Sequence, residues 1–211
     1  MLIICGPKND IRRFNIYIPD WPKKVGITVS GGADRAILLY IVALLNKQRP
    51  NPAELIPFTV PRTDGAYLYS PDIVEYVNQR LNLKLPVPLS VGDPTVHHSK
   101  QVETGTMAML DNGIVDYIFY GSQQTPPEEF PMPGLYPERP SHNKYKRAQV
   151  PFVDLYKTHT LDLYYQFGQE KLLELSHSCT EMQIGRCGQC FQCAEREWAF
   201  RILGKKDPGS K

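Results

Sequence analysis

No stretch of this sequence is apolar for long enough to cross a lipid bilayer. The longest apolar run covers residues 36–45, about half of the 20 residues that a membrane-spanning helix needs. The first ten residues, MLIICGPKND, also lack the basic leader and the long apolar core of a signal peptide. We therefore expect a cytoplasmic protein with no membrane partner, in which residues 36–45 form part of a buried helix.

A strong excess of charge of either sign is missing as well. The 24 basic and 22 acidic side chains leave a formal net charge of +2, without the basic excess that nucleic-acid-binding domains usually carry. Nucleic acid is therefore not an expected partner. The length of 211 residues and the hydrophobic fraction of 42% fit one domain with a small appendage.

Cysteine is scarce, with five residues, but four of the five are clustered near the C-terminus. Cys179, Cys187, Cys190 and Cys193 follow the spacing C-x7-C-x2-C-x2-C, and Cys5 stands alone. Adjoining C-x-x-C pairs suit tetrahedral zinc, and a closed set of four thiolates indicates a structural role for the ion. An iron–sulfur cluster also uses four thiolates and is the main alternative. Such a cluster favours a reducing compartment over disulfide bonds.

Strand-like and helix-like segments alternate along most of the chain. Short runs of β-branched and apolar residues predict strands, and periodic apolar residues next to capping signals predict helices. The alternation predicts an α/β protein with a doubly wound parallel sheet. The predicted strands are residues 25–30, 54–60 and 114–121, and the predicted helices are residues 33–48, 70–83 and 97–113, with a further helix within 150–168.

The remaining segments divide the chain. Residues 122–147 contain six prolines and predict a long irregular loop, which inside a compact domain is often functional. The tail, residues 204–211, is polar and is expected to be disordered. We place a domain boundary after residue 175, so that residues 1–175 form the α/β domain and residues 176–211 form a small helical, zinc-binding appendage.

The sequence SGGAD, residues 30–34, joins a predicted buried strand to a predicted helix. Backbone amides at the start of a helix and the helix dipole favour an anion, and glycines let that anion approach the main chain closely. Ser30, Gly31 and Gly32 are therefore candidates for a phosphate cradle, and Asp34 could organise it or bind magnesium. The alternative is a tight turn without a ligand, since the sequence matches neither the Walker A loop nor G-x-G-x-x-G.

The hexapeptide SGGADR resembles the S-G-G-x-D-S signature of the PP-loop ATP pyrophosphatases. The resemblance implies an adenine nucleotide alpha hydrolase-like, Rossmann-like fold, ATP and Mg²⁺ as cofactors, and transfer of AMP to a substrate oxygen with release of pyrophosphate. Arg35 stands where the family usually has serine or threonine, so its guanidinium could pair with phosphate or its bulk could block the cradle. The implied nucleotide-binding residues are Ser30, Gly31, Gly32, Asp34, Arg35 and Gly121, the last leaving room for adenine or ribose.

Together with the cysteine cluster, the chain is similar to the 7-cyano-7-deazaguanine synthase family. The similarity extends to PFVDLYKTHTLDLYYQFG before the first clustered cysteine, to VDYIFYGSQ, and to YPER at residues 136–139. It implies ATP-dependent conversion of 7-carboxy-7-deazaguanine to the nitrile, with the small deazaguanine substrate and ammonia as partners. It also implies a homodimer. Asp34 and Lys157 are the implied catalytic residues. Glu138 and Arg196 are implied substrate contacts, although Arg196 could instead pair with a nearby acid.

Two other functions stay open at this point. A PP-loop enzyme could adenylate a different acceptor, such as a tRNA base or a protein. The chain could also be a catalytically inactive relative, because Arg35 replaces the hydroxyl-bearing residue of the motif.

Overall fold

The computed structural model of the protein describes residues 1–61, 64–92, 98–127, 130 and 146–209. Its strands are β1 (Leu2–Cys5), β2 (Arg12–Asn15), β3 (Lys24–Thr28), β4 (Glu54–Thr59), β5 (Leu89–Ser90), β6 (Tyr117–Phe119) and β7 (Ala148–Gln149). Its α-helices are α1 (Ala33–Lys47), α2 (Ser70–Leu81), α3 (His98–Asp111), α4 (Lys157–Gln166), α5 (Glu170–Leu175) and α6 (Phe191–Leu203), and Ala66–Tyr69 form a short 3₁₀ helix.

Strands β3 to β7 form one parallel sheet in the order β5-β4-β3-β6-β7. The chain starts in the middle at β3, adds two strands on one side, and then crosses back to add β6 and β7 on the other. β3 and β6 are therefore adjacent strands, and the chain continues from β3 towards one edge of the sheet and from β6 towards the other edge. The carboxyl ends of two such strands frame the crevice in which open α/β sheets bind their ligands.

The sheet is covered on both faces, as the alternation of strands and helices predicts. Along β6, Ile118 belongs to the apolar cluster that includes Met109 and Leu110 of α3, whereas Tyr117 and Phe119 belong to the larger cluster on the other face. This alternation follows from the two-residue period of a strand. The predicted doubly wound α/β architecture is thereby confirmed.

Helix α1 lies at the centre of the larger cluster. Its residues 36–43 are all buried, because α2, α4 and α5 pack around it on the sheet. A helix that is apolar on all sides is stable only when it is enclosed in this way. Among the described helices, none has the combination of length and apolar character needed to cross a membrane.

Two features differ from the sequence interpretation, and a third concerns how the C-terminal segment packs. The hairpin β1–β2 is antiparallel and separate from the main sheet, and its four-residue strands are too short to give a clear pattern. The tail is ordered as far as residue 209, because Asp207 binds two arginines. Ala199 and Phe200 of α6 lie in the same apolar cluster as β3 and α1, so the cysteine-rich segment shares its core with the sheet. The domain boundary at residue 175 stays a prediction.

Candidate functional site

The glycine turn lies at the carboxyl end of β3, beside the end of β6. Gly32 is the N-cap of α1 and has extended backbone angles, so the amides of the first helical turn face the end of the sheet. Ser30 is almost fully buried, and Gly32 leaves the approach to these amides free of a side chain. This is the geometry of an anion site, and it lies at the crevice that the strand order identifies.

Gly31 is held tightly from two directions. Its φ of +77° lies in the left-handed region, and a Cβ at this position would collide with the backbone carbonyl oxygen of Ala66. Its own carbonyl accepts a hydrogen bond of 2.8 Å from the backbone N–H of His177. Glycine is therefore required at residue 31 by both backbone conformation and space. The sequence alone does not show which of Gly31 and Gly32 has this requirement.

The two predicted catalytic side chains are in direct contact. The Lys157 ammonium forms a short ion pair with Asp34, although the two residues are 123 positions apart. Asp34 also accepts a hydrogen bond of 2.8 Å from the hydroxyl of Thr160, one turn further along α4. The structure thus brings Asp34 and Lys157 together beside the glycine turn, and only 8% of the Lys157 side chain is exposed.

A second carboxylate lies next to this pair. The Oε2 atom of Glu195 is 3.7 Å from the Lys157 ammonium nitrogen, and its side chain is 2% exposed. Gln123 donates a hydrogen bond of 3.1 Å to Glu195 and comes within 3.1 Å of the Thr160 hydroxyl. Lys157 therefore lies between two carboxylates, those of Asp34 and Glu195.

The sequence interpretation does not identify Thr160, Gln123 or Glu195 as site residues. Glu195 lies two residues after Cys193, and Gln123 lies two residues after Gly121. Their positions next to motif residues are the only sequence feature that points to a role in the site. This feature is weak, because a polar residue beside a motif is usually exposed to solvent. Burial in the fold is what distinguishes them.

Arg35 and Gly121 occupy the crevice between β3 and β6. A Cβ at Gly121 would lie only 2.9 Å from Cγ of Arg35, so the missing side chain of Gly121 is what allows the arginine stem to lie there. The guanidinium lies over the ring of Tyr120, 5.0 Å from its centroid, and donates a hydrogen bond of 3.0 Å to the Tyr120 hydroxyl. The space beside Gly121 is therefore filled by Arg35 in this structure.

The four clustered cysteines converge as their spacing predicts. The sulfur atoms of Cys179, Cys187, Cys190 and Cys193 all lie within 4.8 Å of one another. Four thiolates around a single zinc ion at 2.3 Å are about 3.8 Å apart in a tetrahedron, close to the observed spacing. A cubic cluster of four irons and four sulfides would hold the cysteine sulfurs further apart. The four sulfur atoms are therefore close enough to share one metal centre, and the choice of zinc over an iron–sulfur cluster stays a prediction.

Backbone N–H groups donate hydrogen bonds to sulfur atoms of the cluster. Sγ of Cys179 accepts from the N–H of Met182 at 3.3 Å, and Sγ of Cys187 accepts from the N–H of Cys190 at 3.2 Å. Burial opposes ionisation of Cys190, but hydrogen bonds involving Thr180 and Cys193 lower the pKa of Cys190 to about 6. Thiolates, rather than thiols, are the ligands that a metal ion binds.

The side chain of Arg196 is buried inside the protein. Its five N–H groups have partners within the chain, at 2.8 and 2.9 Å on Asp207, 2.8 Å on Ser176, 3.1 Å on Ser178 and 3.2 Å on the carbonyl of Leu173. The structure shows Arg196 in the second role that the sequence left open, pairing with an acid, and the substrate contact stays a prediction. Glu138 lies outside the described residues, as do the rest of residues 136–139.

We expect the substitution Asp207→Asn to destabilise the fold by about 2–4 kcal/mol, because it leaves the buried guanidinium of Arg196 without its counter-charge. Burial would raise the pKa of Asp207, but the bonds and charges of Arg196 and Arg186 outweigh it and lower the pKa below 3.8. This contribution is therefore complete above about pH 5 and is lost progressively as the pH falls through 3.8 towards the lowered pKa of the folded state. Denaturant unfolding at pH 7 and pH 3.5 measures it.

The matched control is Asp20→Asn. Asp20 pairs with Arg49 at 3.4 Å but is fully exposed, so its removal should leave the unfolding midpoint unchanged. Equal midpoints for the two variants at pH 7 would contradict the role assigned to Asp207.

A chain of contacts joins the cysteine cluster to the glycine turn. His177 precedes Cys179 by two residues, and its backbone N–H binds the Gly31 carbonyl. The His177 ring stacks on the ring of Tyr69 at 4.5 Å, and the Tyr69 hydroxyl donates to the carbonyl of Gln183 at 2.6 Å. The loop that carries the cysteines therefore supports the segment that encloses Gly31.

No profile of a known protein family matches the chain, and no curated protein matches it either. Among solved structures, the chain is similar to the U34-tRNA thiolase NcsA from Methanococcus maripaludis with its 4Fe-4S cluster. The likeness covers 86% of this chain and 70% of that chain, with 15% identity and a TM-score of 0.47. At this degree of likeness, neither the tRNA substrate nor the cluster of that enzyme is carried over to this chain.

Proposed function

We propose that the protein binds Mg-ATP at the glycine turn and transfers AMP to an oxygen atom of an acceptor. The observation that carries this proposal is the position of the turn: the amides of α1 and the Asp34–Lys157 pair meet at the crevice between β3 and β6. The S-G-G-x-D signature, Ser30 to Asp34, supports a triphosphate as the anion. A simple tight turn would not need a buried ammonium beside it.

In such a transfer, an oxygen of the acceptor attacks the α-phosphorus of ATP. The bond from this phosphorus to the bridging oxygen breaks, and pyrophosphate leaves with the electron pair. Amides of the first turn of α1 and the Lys157 ammonium stabilise the charge that develops on the phosphates, and the low exposure of Lys157 strengthens this effect. Asp34 is the residue that would hold magnesium, which neutralises the departing pyrophosphate.

We propose 7-carboxy-7-deazaguanine as the acceptor, with ammonia as the second substrate. Adenylation of the carboxylate gives a mixed anhydride, and ammonia displaces AMP to form the amide. A second ATP adenylates the amide oxygen, and loss of AMP and a proton leaves the nitrile. The support is the combined motif set, SGGADR and the cysteine cluster. In this role the cluster would hold zinc and serve the fold, because four thiolates leave no open coordination position.

One observation favours a second candidate, an inactive relative that binds a ligand without turning it over. Arg35 fills the space beside Gly121, where adenine or ribose was expected to fit. For the enzymatic proposal, the Arg35 side chain has to leave Tyr120 or pair with a phosphate through its remaining N–H groups. These two cases differ in whether removal of the arginine raises or lowers nucleotide binding.

We expect pyrophosphate to be released when 7-carboxy-7-deazaguanine, ammonia and Mg-ATP are supplied together, and not when the acceptor is left out. Lys157→Met should lower the rate by at least about 100-fold, the effect typical of a lost charge-stabilising group. A coupled pyrophosphate assay measures both. No release from the wild type, combined with activity in Arg35→Ser, would support the inactive relative instead.

A further inference from the structure

We propose that Glu195 is a positioning residue for Lys157, so that the cysteine-rich segment completes the candidate active site and is more than a fold-stabilising appendage. The inference rests on the proposed function for its chemistry. It rests on the structure for its geometry, because α6 begins directly after Cys190 and carries Cys193 and Glu195 on its buried side.

The geometry places Lys157 between two carboxylates from distant parts of the chain. Asp34 comes from the first turn of α1, and Glu195 comes from α6, with its Oε2 atom 3.7 Å from the ammonium nitrogen. Glu195 is itself fixed, because Gln123 donates a hydrogen bond of 3.1 Å to its other oxygen. Gln123 follows β6, so the end of a central strand holds the carboxylate that faces Lys157.

Buried carboxylates are costly, so the presence of Glu195 needs a reason. An unpaired buried charge is strongly unfavourable, and an apolar residue would serve the fold equally well or better. Lys157 has a long flexible stem that loses rotamer freedom when its ammonium is fixed in one place. A second carboxylate restricts that freedom before the nucleotide binds.

Glu195 gains its specific role when Asp34 changes partner. If Asp34 binds magnesium as Mg-ATP enters, its share of the Lys157 ion pair weakens. Glu195 lies deeper in the protein than Asp34, with 2% against 19% side-chain exposure, so it is the carboxylate that stays with the ammonium. Lys157 is then held beside the phosphates instead of turning with Asp34.

The first test measures the Lys157 ammonium directly and needs no turnover. Correlation spectra of the ¹⁵N-labelled lysine ammonium groups should contain a Lys157 signal, assigned by its loss in Lys157→Met. Glu195→Gln keeps the shape and the acceptor for Gln123 but removes the charge. We expect it to raise the exchange rate of this signal with water at least threefold. An unchanged rate would overturn the inference.

The matched control is Glu197→Gln, on the same helix but exposed. It should leave the exchange rate of the Lys157 signal unchanged. An equal effect of both substitutions would indicate a general effect of charge and would contradict a positioning role for Glu195. Metal content and the unfolding midpoint are measured for each variant. Should Glu195→Gln lose metal or fold poorly, Glu195→Met, which removes the charge while keeping a similar side-chain volume, replaces it in the same comparison.

The second test separates positioning from binding. Glu195→Gln should lower kcat for pyrophosphate release about 10–100-fold, the range expected when a reacting group is displaced by about 1 Å, with KM for Mg-ATP within about twofold of wild type. Glu195→Asp should recover part of the lost kcat, and equal losses in both variants would count against the inference. If the wild type releases no pyrophosphate, the proposed function fails, while the ammonium signal still decides whether Glu195 holds Lys157.

Discussion

We expect the substitution Gly31→Ala to weaken the proposed Mg-ATP binding and to destabilise the protein strongly. The left-handed backbone conformation of residue 31 costs a side-chain-bearing residue about 1–2 kcal/mol, and the new Cβ also collides with the carbonyl oxygen of Ala66. The turn has to open to relieve the collision, which moves the amides of α1 that are proposed to bind phosphate. Isothermal titration calorimetry with Mg-ATP and thermal unfolding measure the two effects, and we expect at least about a 100-fold loss of affinity, or about 2.7 kcal/mol.

Gly32→Ala is the matched control one residue away. Gly32 has φ −77° and ψ 156°, which any residue adopts, and a Cβ there would lie 3.6 Å from the Ser30 hydroxyl oxygen and 3.8 Å from the His177 carbonyl oxygen. These are ordinary contacts, so the fold should tolerate the change. Equal stability of Gly31→Ala and Gly32→Ala would show that the turn does not have the conformation described.

We expect a chelator that removes the proposed metal ion to unfold the segment from Ser178 to Cys193 and to lower the melting temperature by at least about 10 °C. Four thiolates brought together without a cation repel one another. In short loops of this kind, the free energy of metal binding supplies the free energy of folding. For a chain of this size the shift corresponds to about 3–5 kcal/mol. Metal analysis before and after chelation, with calorimetric melting, measures the change.

The variant Cys5→Ser is the control for this experiment, because it removes a thiol that lies outside the cysteine cluster. Cys5 is buried at the end of β1, away from the cluster, and burial raises the pKa of Cys5 to about 12, so it stays protonated and binds no metal. We expect this variant to keep its full metal content and to respond to the chelator as the wild type does. A chelator-resistant melting temperature in both proteins would mean that the cluster does not hold a structural ion.

The parts of the site that the sequence predicts are those encoded in short local motifs. The glycine turn and the cysteine spacing each place several functional atoms within a few residues, because backbone geometry over such distances is set by the residues themselves. The buried strand β3 and the helix α1 were predictable for the same reason. Their apolar residues occur in unbroken runs that fit only elements enclosed on all sides.

The contacts that join distant segments were not predictable. Glu195 meets Lys157 because α6 packs against α4, and Gln123 reaches Glu195 from the end of β6. Such meetings depend on how helices cross over the sheet, which no local pattern records. The same holds for Arg196, whose partner Asp207 lies in a tail that composition alone assigns to disorder.

The hydrogen bond between His177 and Gly31 would couple retention of a metal ion by the cysteines to occupancy of the proposed nucleotide site. Linked equilibria are reciprocal, so if a bound ion in the cysteine loop tightens nucleotide binding at the glycine turn, a bound nucleotide must tighten the binding of the ion by the same factor. Saturating ATP would then shield the four cysteines from alkylating reagents and from competing chelators. Depletion of ATP would expose them.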